Sequence, residues 1–354
     1  MSTVIVVGAG ATYADAVAQN ACVLPPLDGT FFQVCGKCRE ARRLRGKDWD
    51  PFYSYVRERY GIDPVRGGWG MEEVFNLVYS DAFPVQDDEG PLDAYWRLVR
   101  AYYGVISLTT NGLQPTASGV RGLLEALLAN KAAGQIRFVT FNHDIVIEKS
   151  LQETVSGARF RSEVLKKEEL HELYRIEAAV DGFRGKRRPL LRACLAYAPI
   201  LKLHGSLNWV RHVDDRRSWR SVLPAPEERI ICVDHRKIRT GPGAHGHDVV
   251  PVIVPPIMEK SQQYTKVLGP IWDEAEKLLR NATRVIVFGY SLPDADPKGR
   301  SLLRASLGTS TCLTEVVVIN PDPAVVGKVA HVLSGARMRQ YPGVTEFRAS
   351  LGVE

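Results

Sequence analysis

At 354 residues the chain is long enough to bury a sizeable core, as one large α/β domain or as two smaller ones. Its 46 basic and 40 acidic residues leave a net charge of +6, a mildly basic balance that is no nucleic-acid footprint by itself, and direct nucleic-acid binding is not expected. No apolar run approaches the roughly 20 residues of a membrane span, and no secretory leader opens the sequence. The six cysteines (Cys22, Cys35, Cys38, Cys194, Cys232, Cys312) are too scattered for a disulfide framework, so a reduced cytoplasm is the expected setting.

The first element is the apolar run Thr3 to Val7, the mark of a strand buried on both faces. It leads into Gly8-Ala9-Gly10-Ala11-Thr12 and an alanine-rich helix to about Cys22, closed by Pro25-Pro26. From about Arg39 to Leu128 the pattern turns helical and aromatic, with Phe52, Tyr55, Val56 and Tyr60, then Tyr95, Leu98, Val99 and Tyr102. Breakers at Asp63-Pro64, Gly67-Gly68 and Gly90-Pro91 separate its helices. These patterns predict a helical insert over about 39–128 inside a single domain spanning 1–354. The basic cluster from Arg39 to Lys47 reads as a solvated helix face.

Strand signals resume at Ile136 to Phe141, followed by Asn142-His143-Asp144. A second polar, helix-prone segment is expected over about 160–195, and Pro199 to Leu203 then leads into His204-Gly205-Ser206. Residues Trp219 to Val233 read as a hairpin. The remaining strands are Val250 to Val254, Arg284 to Phe288 and Glu315 to Ile319, with helices at Ile271 to Leu279 and Ala324 to Leu333. Apolar strands alternating with helices imply an α/β fold, a Rossmann-like and mostly parallel sheet with helices on both faces.

In such sheets ligands bind where the carboxyl ends of the strands open into loops. The notable residues fall there: Gly8-Ala9-Gly10, Asn142 and Asp144, His204, Gly289-Tyr290-Ser291 and Asn320. Glycines before a helix let backbone amides approach an anion. The dehydrogenase fingerprint would place a small residue three positions after Gly10, where Tyr13 stands, and an acid at a second strand end, whereas Asp28 lies in a proline-rich loop. Hydride transfer is therefore disfavoured.

Taken in order, these strings resemble the sirtuin family. Gly8-Ala9-Gly10-Ala11-Thr12 is similar to its nucleotide loop, Asn142-His143-Asp144 to its Asn-x-Asp motif, and His204-Gly205 to its catalytic His-Gly. Gly289-Tyr290-Ser291 resembles its Gly-Thr-Ser loop, and Asn320 its asparagine on the adenine side. Lys202-Leu203-His204-Gly205-Ser206-Leu207-Asn208-Trp209 and Gly289-Tyr290-Ser291-Leu292-Pro293-Asp294-Ala295-Asp296 resemble the divergent bacterial branch that serves phage defence. Deacylase sirtuins carry a zinc module with two Cys-x-x-Cys pairs; here only Cys35 and Cys38 form one, so no metal is expected. The family's apolar Val-x-Phe-Gly peptide-docking strand is also missing after His204, and Val250 to Pro256 occupies that region instead.

The resemblance implies an NAD glycohydrolase that releases nicotinamide and ADP-ribose, with NAD as its substrate. It assigns catalysis to Asn142 and His204, and NAD binding to Gly8, Ala9, Gly10, Thr12, Asp144, Gly289, Ser291 and Asn320. The chemistry suits these residue types. Breaking the bond to nicotinamide develops oxocarbenium-like charge on the ribose. Asn142 can hydrogen-bond a ribose hydroxyl or water, Asp144 can accept from the carboxamide, and His204 can act as general base near neutral pH. A protein deacylase and a non-catalytic NAD- or ADP-ribose-binding assembly module are the alternatives.

An NAD-depleting effector needs restraint, which implies a homo-oligomer or a separate partner. By family resemblance, a HerA-type ATPase leads and an Argonaute-type protein follows. The aromatics of the insert either form an exposed docking surface or pack the insert onto the sheet. The loop His245-Gly246-His247-Asp248 matches no standard metal spacing and reads as surface.

Overall fold

The computed structural model describes residues 2–44, 46–83, 89–129, 135–156, 178–180, 200–212, 230–232, 249–257, 268–293, 296–332 and 336–353. A six-stranded sheet organises the molecule: β1 (Ser2–Val7), β2 (Gln135–Thr140), β4 (Ile200–Lys202), β8 (Arg284–Phe288), β9 (Glu315–Ile319) and β10 (Arg337–Tyr341). The spatial order is β10-β9-β8-β1-β2-β4, and every pair is parallel. Read from the other edge, this is the doubly wound Rossmann order, in which the strand sequence reverses between β1 and β8. The apolar runs Val4–Val7, Val285–Phe288 and Val316–Ile319 are buried, as strands covered on both faces require.

Helices α1 (Ala9–Ala18), α6 (Gly119–Ala129), α7 (Val146–Ser156) and α11 (Val344–Ser350) pack as one group. Helices α8 (Gly269–Arg280) and α9 (Pro297–Leu307) form another, and α10 (Pro323–Ala330) buries Val325 and Val329. Four further helices lie between β1 and β2: α2 (Phe31–Glu40), α3 (Gly46–Tyr60), α4 (Met71–Ala82) and α5 (Glu89–Thr110). They enclose their own cluster around Phe31, Phe52, Phe75, Tyr95 and Tyr103, joined by Ile145, Leu207, Ile253 and Ile257. Helix α6, inside the predicted insert, instead gives Val120, Leu123, Leu124 and Leu127 to the sheet core.

Of the two readings of the aromatic segment, the buried one holds. Trp49, Phe52, Phe75, Trp96, Tyr102 and Tyr103 are all buried, and Tyr53, Tyr55 and Trp69 are half-buried against them. Among the described residues the exposed large apolar side chains are Val17 and Leu27, at 49% and 38%. An exposed aromatic docking face over 39–128 is thereby overturned. Rings of this size stack or meet edge-on only with ring partners near, and α2–α5 supply them.

Beside the single parallel sheet that the sequence pattern predicts stands a second one of four strands: β3 (Ala178–Val180), β6 (Ile230–Cys232), β5 (Gly205–His212) and β7 (Val249–Ile253), in that order. β5 pairs antiparallel with both β6 and β7. The expected polar helix over 160–195 falls outside the described residues except at Ala178–Val180, which is strand. The expected hairpin over 219–233 likewise falls outside them apart from β6, whose partners are β3 and β5. The chain passes between sheets at His204-Gly205. Gly205 has φ +83°, and a Cβ there would lie 2.1 Å from the Val252 carbonyl oxygen, so only glycine makes the turn.

Candidate active site

The carboxyl ends of β1, β2, β4, β8 and β9 open into one cleft of about 1330 Å³. It exceeds the usual span of small-molecule pockets, about 300–1,000 Å³, and suits a ligand as long as a dinucleotide. Gly8, Ala9, Gly10, Thr12, Asn142, Asp144, His204, Gly289, Ser291 and Asn320 all line it. Its sequence-distant walls come together because the strand order reverses between β1 and β8.

Two glycine turns interlock at that reversal. Gly8 N donates to Phe288 O at 3.0 Å and Gly10 N to Gly289 O at 2.9 Å, while Gly289 N donates to Ile319 O at 3.1 Å. A Cβ on Gly8 would meet Tyr290 Cα at 2.6 Å, and one on Gly289 would meet Ala11 N at 2.1 Å. Gly289 also has φ +63°, which only glycine adopts readily. The amides of Gly8 and Gly10, expected to face an anion, are thus engaged by protein carbonyls. The amino end of α1, with Ala9 and Thr12, faces the cleft.

The Asn142-His143-Asp144 loop is held from several sides. Asn142 Nδ2 donates to Gly8 O at 3.0 Å and Thr12 Oγ1 at 3.2 Å, which turns Oδ1 away from those partners. Thr12 Oγ1 donates to Asp144 Oδ2 at 2.7 Å, and Val146 N donates to Asp144 Oδ1 at 3.0 Å. Asp144 therefore ties the loop to α1 and starts α7, besides lining the cleft. Burial pushes its carboxyl pKa up, opposed chiefly by the Lys202 charge. Lys202, wholly buried, donates to Asp144 O and to Glu148 Oε1, the latter at 2.8 Å.

His204 sits in an aromatic setting. Its ring centroid lies 5.4 Å from Phe141, 6.0 Å from His143 and 6.0 Å from Trp272, whose Nε1 donates to Leu203 O at 2.8 Å. Val254 N donates to His204 O at 2.8 Å and fixes the backbone. Asn320 uses Oδ1 to accept from Asp322 N at 2.9 Å, an Asx turn that opens α10. Near the glycine turn Leu292 is buried at φ +49°, a costly conformation for a γ-branched residue.

Three residues with no assigned role also line the cleft: His143, Tyr102 and Asp296. The Tyr102 hydroxyl, on α5, lies 2.7 Å from His143 Nδ1 and links the helical segment to the loop. Tyr102 showed in the sequence only as one member of an apolar stripe. Asp296 carries a sequence signal of its own, an acid before Pro297, the pattern of an N-cap followed by proline at the first helical position. Cys35 and Cys38 lie buried in α2 within the aromatic cluster, and burial raises both thiol pKa values. Among the described residues no cluster of His, Cys, Asp or Glu could hold a metal, and His245 and His247 lie outside them. No helix among the described residues is long and apolar enough to cross a membrane.

No protein-family model matches the chain, and no curated protein does. Among solved structures the chain is similar to a Sir2 homologue–NAD complex, at 16% identity and a TM-score of 0.43, over 99% of this chain and 87% of that one. It is also similar to a Sir2–p53 peptide–NAD+ complex, at 14% identity and a TM-score of 0.40, over 99% and 91%.

Proposed function

We propose that the chain is a sirtuin-like NAD glycohydrolase, cleaving NAD to nicotinamide and ADP-ribose. One arrangement carries the reading. Asn142, with Oδ1 turned from its protein partners, and His204 stand at the ends of adjacent parallel strands, in a dinucleotide-sized cleft at the reversal point of the sheet. In this reading Asn142 accepts from a ribose hydroxyl or the attacking water, and His204 takes the proton. The amino end of α1, with Ala9 and Thr12, faces the phosphates, the small Gly8 and Gly10 let them approach, and Gly289, Ser291 and Asn320 face the adenosine end. Asp144 holds the nicotinamide-side loop.

The test is incubation of the purified chain with NAD, with and without an acylated peptide, followed by chromatography for nicotinamide and ADP-ribose. Both products without peptide support hydrolysis. Release only with peptide makes the chain a deacylase, and intact bound NAD makes it a binding module. The proposed cellular role is a phage-defence effector restrained by self-assembly or by a separate partner, of the HerA ATPase or Argonaute type. NAD levels in infected cells, with and without the chain, test that role.

A further inference from the structure

The cleft holds a second carboxylate beside the histidine. Asp296 Oδ1 lies 3.9 Å from His204 Nε2, and both side chains are buried. That exceeds hydrogen-bond reach, which ends near 3.2 Å. Yet two polar atoms so spaced can each lie about 2.8 Å from a single oxygen set between them. Both residues line the cleft, so a water standing in it to one side of the pair would bridge them.

Asp296 cannot swing out of this position freely. Its Oδ1 accepts from Gly299 N at 3.1 Å, capping α9, and its Oδ2 accepts from the Tyr290 hydroxyl at 3.0 Å. The Tyr290 ring stacks on Phe141 at 4.2 Å, and Phe141 meets the His204 ring edge-on. Gly299 leaves room for this crowding: a Cβ there would stand 2.4 Å from Asp296 Oδ2 and 2.5 Å from the Tyr290 hydroxyl. Helix capping alone would not require the carboxylate to border the cleft next to the histidine.

We propose that Asp296 is a catalytic residue of this site, gripping the attacking water together with His204. The proposal rests on the NAD-cleavage reading. The water oxygen bonds to the ribose C1′ as the bond from C1′ to the nicotinamide nitrogen breaks, its electron pair leaving with neutral nicotinamide. The water proton passes to His204 Nε2 and then to solvent. Asp296 takes no proton; its charge orients the water and stabilises the imidazolium as it forms. Other titratable groups around His204 are His143 at the end of β2, Lys298 on α9, which lies 4.7 Å over the Trp272 ring, and Asp273 on α8.

The test pairs Asp296→Asn, which keeps an acceptor for Gly299 N, with Asp296→Glu. Steady-state nicotinamide release is read beside an NMR titration of labelled His204 in unliganded protein. For Asn, kcat is expected to fall about 10²-fold or more while KM for NAD changes little, and the His204 midpoint to drop by about one pH unit. Glu is expected to restore the midpoint and part of kcat. A folded Asn variant with near-wild-type kcat or an unmoved midpoint overturns the proposal. If wild-type chain releases no nicotinamide, the NAD-cleavage reading fails by itself. The histidine titration then decides on Asp296 alone: a shifted midpoint supports the pairing and an unmoved one overturns it.

Discussion

The two buried regions of this molecule are built from different side chains. Around the parallel sheet the core is dominated by valine, isoleucine and leucine, with Val4, Ile5, Val285, Ile286, Val316 and Val317 on its central strands. Between α2 and α5 rings take a larger share: Phe31, Phe32, Trp49, Phe52, Phe75, Tyr95, Trp96, Tyr102 and Tyr103. Branched aliphatics fit the pleated surface of a strand covered on both sides, and they carry no polar atoms. Tyrosines fill space between helices and keep a hydroxyl at the tip. Tyr103 donates to Leu207 O at 2.8 Å, and Tyr102 reaches His143 at 2.7 Å. The sheet sets where the proposed catalytic groups stand, and the aromatic cluster braces the loop that carries one of them.

If that division holds, removing chemistry at the strand ends costs activity without costing fold. His204→Ala is expected to lower nicotinamide release by at least about 10²–10⁴-fold, the usual worth of a general base, with the thermal midpoint nearly unchanged. Parallel activity and melting measurements check it, and a variant that retains activity sinks the assignment.

Beneath the loop, the buried Lys202–Glu148 pair serves the scaffold. Lys202→Met leaves Glu148 buried without its partner and is expected to cost about 3–5 kcal/mol in urea unfolding. Lys202→Met combined with Glu148→Leu should regain only part of that, because Glu148 is then no longer stranded while buried Asp144 still lacks the Lys202 charge. A single variant as stable as wild type would show that the pair holds nothing.

Asp15 sharpens the comparison through pH. Its Oδ1 accepts from Gly119 N at 2.7 Å at the start of α6, and burial raises its pKa from the ordinary 3.8 to about 6. The folded chain thus holds this proton more tightly than the unfolded one. The stabilisation is full below about pH 3.8 and is lost as pH rises through about 6, a difference of about 3 kcal/mol. Asp15→Asn keeps an acceptor and removes the titration, so it should gain on wild type by up to about that amount between roughly pH 4 and pH 7. Parallel denaturation curves across this range decide it, and curves without a pH-dependent gap refute the burial argument.

The smallest expected effect lies at the seam between the regions. Tyr102→Phe removes one hydrogen bond to His143 while keeping the ring, which should cost about 0.5–1.5 kcal/mol in stability. A several-fold fall in kcat is expected with it. Loss of stability alone would confine the aromatic cluster to packing.

Local pattern carried much of this protein. The apolar strands, the glycine turns and the strand-end placement of Asn142, Asp144, His204 and Asn320 were legible because each depends on a few neighbouring residues and on a period of two or 3.6. The use of the glycines was not legible. Their small size serves the contact between the Gly8–Gly10 and Gly289 turns, which lie almost 280 residues apart and meet only when β8 inserts beside β1. The burial of the aromatic stripe likewise depended on four helices closing on one another. The second sheet depended on pairings between β5, β6 and β7 across long connections, at which no local repeat hints. Asp296 reads in sequence as a helix cap, and only the tertiary structure brings it to 3.9 Å from His204. Sequence fixes what a side chain can do within a turn or two of chain; which groups share a cleft is decided by the packing of distant elements, where the free energy of burial selects one arrangement.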